Sequence, residues 1–350
     1  MVTLTIRDGR PQPSEPPLDC GNSLWQTSSQ RAADLYDSGV PLWRKEDLMD
    51  IERQLAQSCT TETFTVRRID GSIINVENPM FGVQKPIWKP SVKFQEYWHL
   101  VYYRPIVLPE AFHCTYLVDW TNQMVHNDER PIENFRSLFE TSRQKWNASA
   151  DCEALTSQFR KLLGGNGNAK KVTKVVCFGL GDMSFWSSST RQSNTTGAEA
   201  AFEYHAIALT IANIARCTNT GDMGVRLLTQ DPMYSDETKD VLREIGFEVV
   251  GEHGAGGFAE LDDESIVISP SPTAPVKQVI ADLARPVAII CNKRTNKVFD
   301  RYVQKPVPDA ESPRTWQMWK DYDSWDFPLS EDSELPCSFY ELEINARMRE

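Results

Sequence analysis

Eight residues of this chain have the types and spacing to build a binding crevice. Gly179, Gly181 and Asp182 lie in "KVVCFGLGDMSFW", Asp231 and Pro232 follow "RLLTQ", Ser269 and Ser271 flank Pro270 in "SPSP", and Asn292 ends "AIICN". An apolar run ending in a glycine turn lets backbone approach a ligand closely, and an acid ending the next strand is placed to accept hydrogen bonds from ribose hydroxyls. Three features depart from the dinucleotide fingerprint. Ser184 replaces the third glycine, the next helix opens only at Thr196 after the polar insert "MSFWSSSTRQSNT", and Asp182 repels a pyrophosphate. Two readings stay open, a tight bend or a cofactor crevice. In the second, S-adenosylmethionine ranks first because it needs no phosphate cradle. NAD ranks second, and NADP last because Asp231 repels its 2′-phosphate.

Other catalytic chemistry is sparse. His205, beside Tyr204 on an amphipathic helix, reads as a packing residue, and His253 in "GEHGAGG" as an exposed loop residue. The run Ser187, Ser188, Ser189 lacks the strained elbow of hydrolases and reads as a flexible insert. The eight cysteines form no C-x-x-C pair and no H-E-x-x-H is present, so neither a metal site nor a disulfide framework is expected.

The elements that must position the crevice follow from periodicity. From about residue 150 a helix, "ADCEALTSQFRKLL", gives way to alternating strands and helices: strands over 172–178, 225–230, 247–250, 265–269 and 286–291, and helices from Thr196, from Ser235 and across Val276–Leu283. Alternation with near-continuous apolar strands predicts a parallel sheet covered on both faces, an α/β, Rossmann-like doubly wound domain over 149–303. Thr196 and Glu199 form a capping box, and Gly246 closes the helix "VLREI". Upstream, residues 21–148 read as an α+β region. Leu48, Ile51 and Leu55 share one helix face, Asp70-Gly71 marks a hairpin, "EYWHLVYYRPIVL" and "HCTYLVDW" read as strands, and "RPIENFRSLFETSRQKW" as a polar helix. Residues 1–20 have the composition of a mobile tail. Residues 304–350, rich in proline and acids, read as a C-terminal tail whose Trp316 and Trp319 dock onto the N-terminal region or anchor a partner.

The blocks "VVCFGLGD", "YHAIAL", "LLTQDPMYSDETKDVLREIGFEV" and "SIVISPSP", in that order, resemble the SRR-like family, named for reduced sensitivity to red light. "AADLYDSGVPLW" is similar to the segment that fungal members carry ahead of the domain. The resemblance covers roughly 150–300. It implies a regulatory protein of a family tied to light and circadian signalling in plants and to haem-related regulation in animals, with no settled reaction. It maps the strand-end turn onto Gly179 to Gly181, the post-strand acid and proline onto Asp231 and Pro232, and the fourth-strand exit onto Pro270; after that proline, where many members carry a polar or thiol residue, stand Ser271 and Pro272. Haem ranks below the adenosine ligands, because no cysteine precedes a proline.

Composition sets the remaining bounds. A net charge of −12 without a basic stripe argues against nucleic-acid binding; Lys170, Lys171 and Lys174 read as a solvated strand entry. No window approaches a membrane span and no signal peptide is evident, so a cytoplasmic or nuclear location is expected. The leading expectation is a soluble regulatory protein with a protein partner and a small adenosine-type ligand. The alternative is an enzyme using the same crevice, most plausibly an S-adenosylmethionine-dependent methyltransferase.

Overall fold

In the computed structural model, the described residues are 23–103, 107–124, 130–164, 170–186, 197–219, 224–300 and 305–348. The expected tail at 1–20, Ser187 to Ser189 and the Thr196 cap lie outside them.

The chain opens with helices α1 (Ser23–Asp37) and α2 (Lys45–Ala56), two hairpin-forming strands β1 (Thr63–Arg67) and β2 (Ile73–Glu77), and β3 (Trp88–Phe94). Then come α3 (Tyr97–Val101), β4 (Tyr116–Asn122), β5 (Arg130–Pro131), α4 (Phe135–Asn147) and α5 (Ala150–Gly164). The alternating part runs β6 (Lys174–Phe178), β7 (Phe185–Trp186), α6 (Gly197–Thr218), β8 (Arg226–Gln230), α7 (Asp236–Glu244), β9 (Glu248–Val249), α8 (Gly256–Ala259), β10 (Ser265–Ser269), α9 (Val276–Leu283) and β11 (Ala288–Asn292). It closes with α10 (Pro313–Met318), β12 (Tyr322–Asp326) and β13 (Leu342–Arg347).

Seven strands form one mostly parallel sheet in the order β12-β13-β11-β10-β6-β8-β9. The five from β11 to β9 are parallel, whereas β13 runs antiparallel between β11 and β12. Alternation along β6 divides the core: Val175 and Cys177 join the cluster under α5 and α6, while Val176 and Phe178 join the one holding α2, α8 and α9. Both faces are therefore covered, which is why these strands carry no polar side.

The second cluster is where the N-terminal region attaches. Leu48, Ile51 and Leu55 of α2 are fully buried in it with Phe64 and Val66 of β1. The Asp70-Gly71 hairpin forms as expected, with Gly71 at φ 83° and Arg67 opposite Ile73.

Two expectations need correction. "EYWHL" is helical: α3 packs against α1, and its rings engage Tyr36 and Phe299 (Tyr36 to Tyr97 4.3 Å; Trp98 to Phe299 5.7 Å), so aromatic content alone misled the strand assignment. The C-terminal segment is no tail, since β12 and β13 extend the sheet and β13 is buried along most of its length. Trp319 is buried in the same cluster as Tyr36 and Trp43 of the N-terminal region, while Trp316 is 40% exposed, so only one of the two tryptophans is docked.

Removing residues 310–350 strips the antiparallel neighbour from β11 and deletes Trp319 from the core. An unpaired apolar strand edge promotes association, so the truncated chain is expected to aggregate or to lose its cooperative melt. Size-exclusion chromatography and a thermal melt check this; a monodisperse product with unchanged Tm would refute it.

Candidate functional site

The strand order reverses between β6 and β10, and the glycine turn after β6 lies at that point. Gly179 and Gly181 both take positive φ, 64° and 86°. Gly179 N–H donates to Gln230 O across the sheet end (3.1 Å), and a Cβ there would approach Pro272 Cα to 3.2 Å. A Cβ on Gly181 would meet Ala201 Cβ at 3.4 Å, so the first turns of α6 do return to the glycine turn despite the long insert.

Asp182 and Asp231 fasten this turn to the start of α7. Asp231 accepts from Gly181 N–H (3.1 Å) and Met233 N–H (3.0 Å). Asp182 accepts from Ser184 N–H (2.7 Å), Ser184 Oγ (2.6 Å) and Ser235 N–H (2.6 Å). Burial pushes the Asp231 carboxyl up, while its two backbone N–H donors pull it down.

A crevice of about 870 Å³ opens above the turn. Gly179, Gly181, Asp182, Asp231, Pro232 and Ser271 all line it. Ser269 and Asn292 do not. Ser269 is wholly buried with its hydroxyl unpartnered, and Asn292 is paired with Leu342 of β13.

Sequence reading missed the opposite wall. Ser91 to Phe94 of β3, His99 of α3 and Asp119 of β4 face the same space, joined by Pro336, Cys337 and Ser338. Two contacts hold that wall down. Glu52 of α2 accepts from His253 N–H (2.8 Å), Ala255 N–H (2.9 Å) and Gly256 N–H (3.0 Å), and Val92 N–H donates to His253 O (2.7 Å). Only the glycine spacing of "GEHGAGG" hinted at a backbone nest of this kind. His253 is accordingly buried, with Nδ1 2.7 Å from Pro90 O, not an exposed loop residue.

Gln230 completes the floor, accepting from Gly257 N–H (2.7 Å) and donating to Gly254 O (2.9 Å). Behind it, His205 is fully buried, its Nδ1 2.7 Å from Ala201 O and its Nε2 2.9 Å from Tyr234 Oη, which lies 2.8 Å from Thr229 Oγ1. Burial lowers the His205 pKa to about 4. It is a satisfied neutral packing residue, as expected.

On the wall, burial and the nearby charge of Asp309 raise Glu96 to about 8, and burial with Lys93 and Lys305 lowers His99 to about 4. Glu96 Oε2 accepts from Gln278 Nε2 (2.8 Å), tying the wall to α9.

Two outcomes follow from this geometry. Gly179→Val places a β-branched residue at φ 64° against Pro272 backbone, costing roughly 1 to 3 kcal/mol; chemical denaturation measures this, and unchanged stability would show the turn to be ordinary. For Glu96, the folded pKa lies above the unfolded one, so the folded chain retains a proton that the unfolded chain releases. Stability contributed this way is present below the ordinary carboxylate pKa and is lost as pH rises to about 8. Denaturation from pH 5 to 8.5 should show a downward slope that is smaller in Glu96→Gln. Identical slopes would contradict it.

A family model described as the SRR1 domain matches residues 143–325. No curated protein matches the chain. The crevice floor from Gly179 to Pro272 lies inside the matched span, while the wall formed by Ser91 to Asp119 and by Pro336 to Ser338 lies outside it. With more than half of its 350 residues matched by that model, the chain belongs to the SRR1 domain family.

Proposed function

We propose that this is a regulatory protein of the SRR1 family, of the fungal type, acting in the cytosol or nucleus through a protein partner, and that its strand-end crevice binds an adenosine-type ligand of the S-adenosylmethionine kind. The light-signalling, circadian and haem-related settings implied by the family resemblance frame that role. The observation that carries the ligand is the positive-φ turn of Gly179 and Gly181 at the switch between β6 and β10, with Asp231 beside it. Counted along the chain, the five parallel strands β6, β8, β9, β10 and β11 stand in the order 3-2-1-4-5, the Rossmann-like order in which open α/β sheets take nucleotides at the reversal.

The lining supports a nucleoside. Each carboxylate oxygen has two acceptor positions, and Asp231 uses one on each, leaving capacity for ribose hydroxyls. Phe94 gives the crevice an aromatic side, backed by the buried pair Phe178 and Phe258, stacked at 4.3 Å. Asp182 favours a cationic sulfonium over a pyrophosphate.

A second reading, a methyltransferase, is favoured by one observation. With β12 and β13 included, the order becomes 3-2-1-4-5-7-6, and the last strand is antiparallel. Rossmann-like methyltransferases that use S-adenosylmethionine share this arrangement. That is an analogy of fold, and chemistry must come from the site.

Thermal melts with S-adenosylmethionine, NAD and NADP test the ligand. A ligand at a hundredfold excess over its Kd adds about 2.7 kcal/mol, a shift of several degrees. The shift should be largest with S-adenosylmethionine, smaller with NAD and smallest with NADP. It should shrink in Asp231→Asn, which retains an acceptor for Gly181. No shift with any of the three would leave the turn a structural bend alone.

A further inference from the structure

Most polar groups lining the crevice are occupied by the protein itself. Asp182, Asp231 and Gln230 serve backbone groups, Tyr204 Oη donates to Ser338 Oγ (2.9 Å), and Lys93 pairs with Asp119 (3.6 Å). His99 differs. Its Nδ1 is enclosed and makes no hydrogen bond, while 30% of its side chain remains exposed.

The nearest acid is Glu96, one helical turn earlier, with Oε1 3.7 Å from His99 Nδ1. That separation is too long for a hydrogen bond and short enough to become one after a small ring movement. The Glu96 side chain is 6% exposed and is held from behind by Gln278. Lys93 of β3 and Lys305 bring positive charge to the imidazole, and Asp309 and Lys277 act on Glu96 from the α9 side. Near neutral pH a neutral imidazole therefore stands beside a neutral carboxylic acid. This pairing offers a base with a nitrogen free to take a proton, and a carboxyl oxygen able to orient the ring by accepting from its Nδ1–H.

We propose that His99, positioned by Glu96, is the proton acceptor of this crevice for a substrate carrying a hydroxyl or amine nucleophile. The proposal rests on the methyltransferase reading above. The nucleophile attacks the methyl carbon of the sulfonium donor, the new bond to carbon forms as the carbon–sulfur bond breaks, and the electron pair goes to sulfur. The proton of the hydroxyl or amine passes to the imidazole. His99 lies in α3 and Glu96 immediately precedes it, both outside the SRR1 match, so the family domain supplies the cofactor floor and the N-terminal region supplies the base.

Two cofactor analogues separate the claims. S-adenosylhomocysteine has nothing at the transfer position, whereas sinefungin carries an amine there. Isothermal titration of the full chain should show His99→Ala losing roughly tenfold or more in sinefungin affinity, as expected for a hydrogen bond to a charged group, with S-adenosylhomocysteine affinity changed less than about twofold. The retained affinity doubles as the folding control, and His99→Gln should recover part of the loss. In the wild type, ionisation of Glu96 above about pH 8 should raise the preference for sinefungin over S-adenosylhomocysteine. In Glu96→Gln only the ligand's own ionisation should remain. If His99→Ala weakens both analogues equally, or neither, His99 is not the acceptor. If the wild type binds neither analogue, the cofactor reading fails and the transfer step falls with it.

Discussion

The ammonium of Lys277 is the charge around which the three sections of the chain assemble. It is 4% exposed, 2.8 Å from Glu311 Oε1 and 3.9 Å from Asp309 Oδ2, both themselves buried. Burial opposes its charge, but Asp309 and Glu311 more than compensate and hold its pKa above the ordinary lysine value. Removing one partner would leave a buried charge uncompensated, at a cost of about 3 to 5 kcal/mol. The neighbouring residues of α9 work the same way. Gln278 bonds Glu96, Tyr97 N–H and Ala310 O, and Asp282 accepts from Leu42 N–H, Trp43 N–H and Arg314. Arg314 in turn reaches Tyr36 O and Val40 O and lies 3.8 Å over the Tyr36 ring. One eight-residue helix thus binds both the N-terminal and C-terminal sections to the sheet.

That junction gives the crevice a second wall. The family domain provides a floor whose two aspartates are committed to holding the glycine turn, and a floor alone would be shallow. With α9 fixing α3 through Gln278, and Glu52 fixing the loop after β9, the N-terminal strands stand over the turn and enclose a crevice of about 870 Å³. The aspartates are structural: the backbone N–H groups of Gly181 and Met233 set the direction of Asp231, and those of Ser184 and Ser235 set that of Asp182.

What could be read from sequence follows the range of the interactions. The runs at 174–178, 226–230, 265–269 and 288–292 announce themselves because each strand is buried on both sides, and Asp70-Gly71 because its turn demands it. Six of the eight predicted crevice residues meet because strand ends of a parallel sheet share one edge. Ser269 and Asn292 miss it for reasons no local pattern carries, one turned into the core and the other covered by β13. The strand β13 itself was hidden by the proline and acid content around it, since "LEINAR" pairs with a strand more than fifty residues earlier. Glu52 looked like an ordinary helix residue, and Glu96 and His99 like members of an aromatic strand. Their roles come from partners in distant segments, such as Gly256 for Glu52 and Gln278 for Glu96.

Three sections of chain close one crevice over Gly179 and Gly181, and its proposed ligand is open to direct observation. A crystal structure of the protein grown with S-adenosylhomocysteine tests it most directly. A nucleoside is expected over the glycine turn, its ribose hydroxyls on Asp231, its base against Phe94, and its sulfur toward His99. An unoccupied crevice at saturating ligand, or a ligand bound elsewhere on the protein, would contradict it.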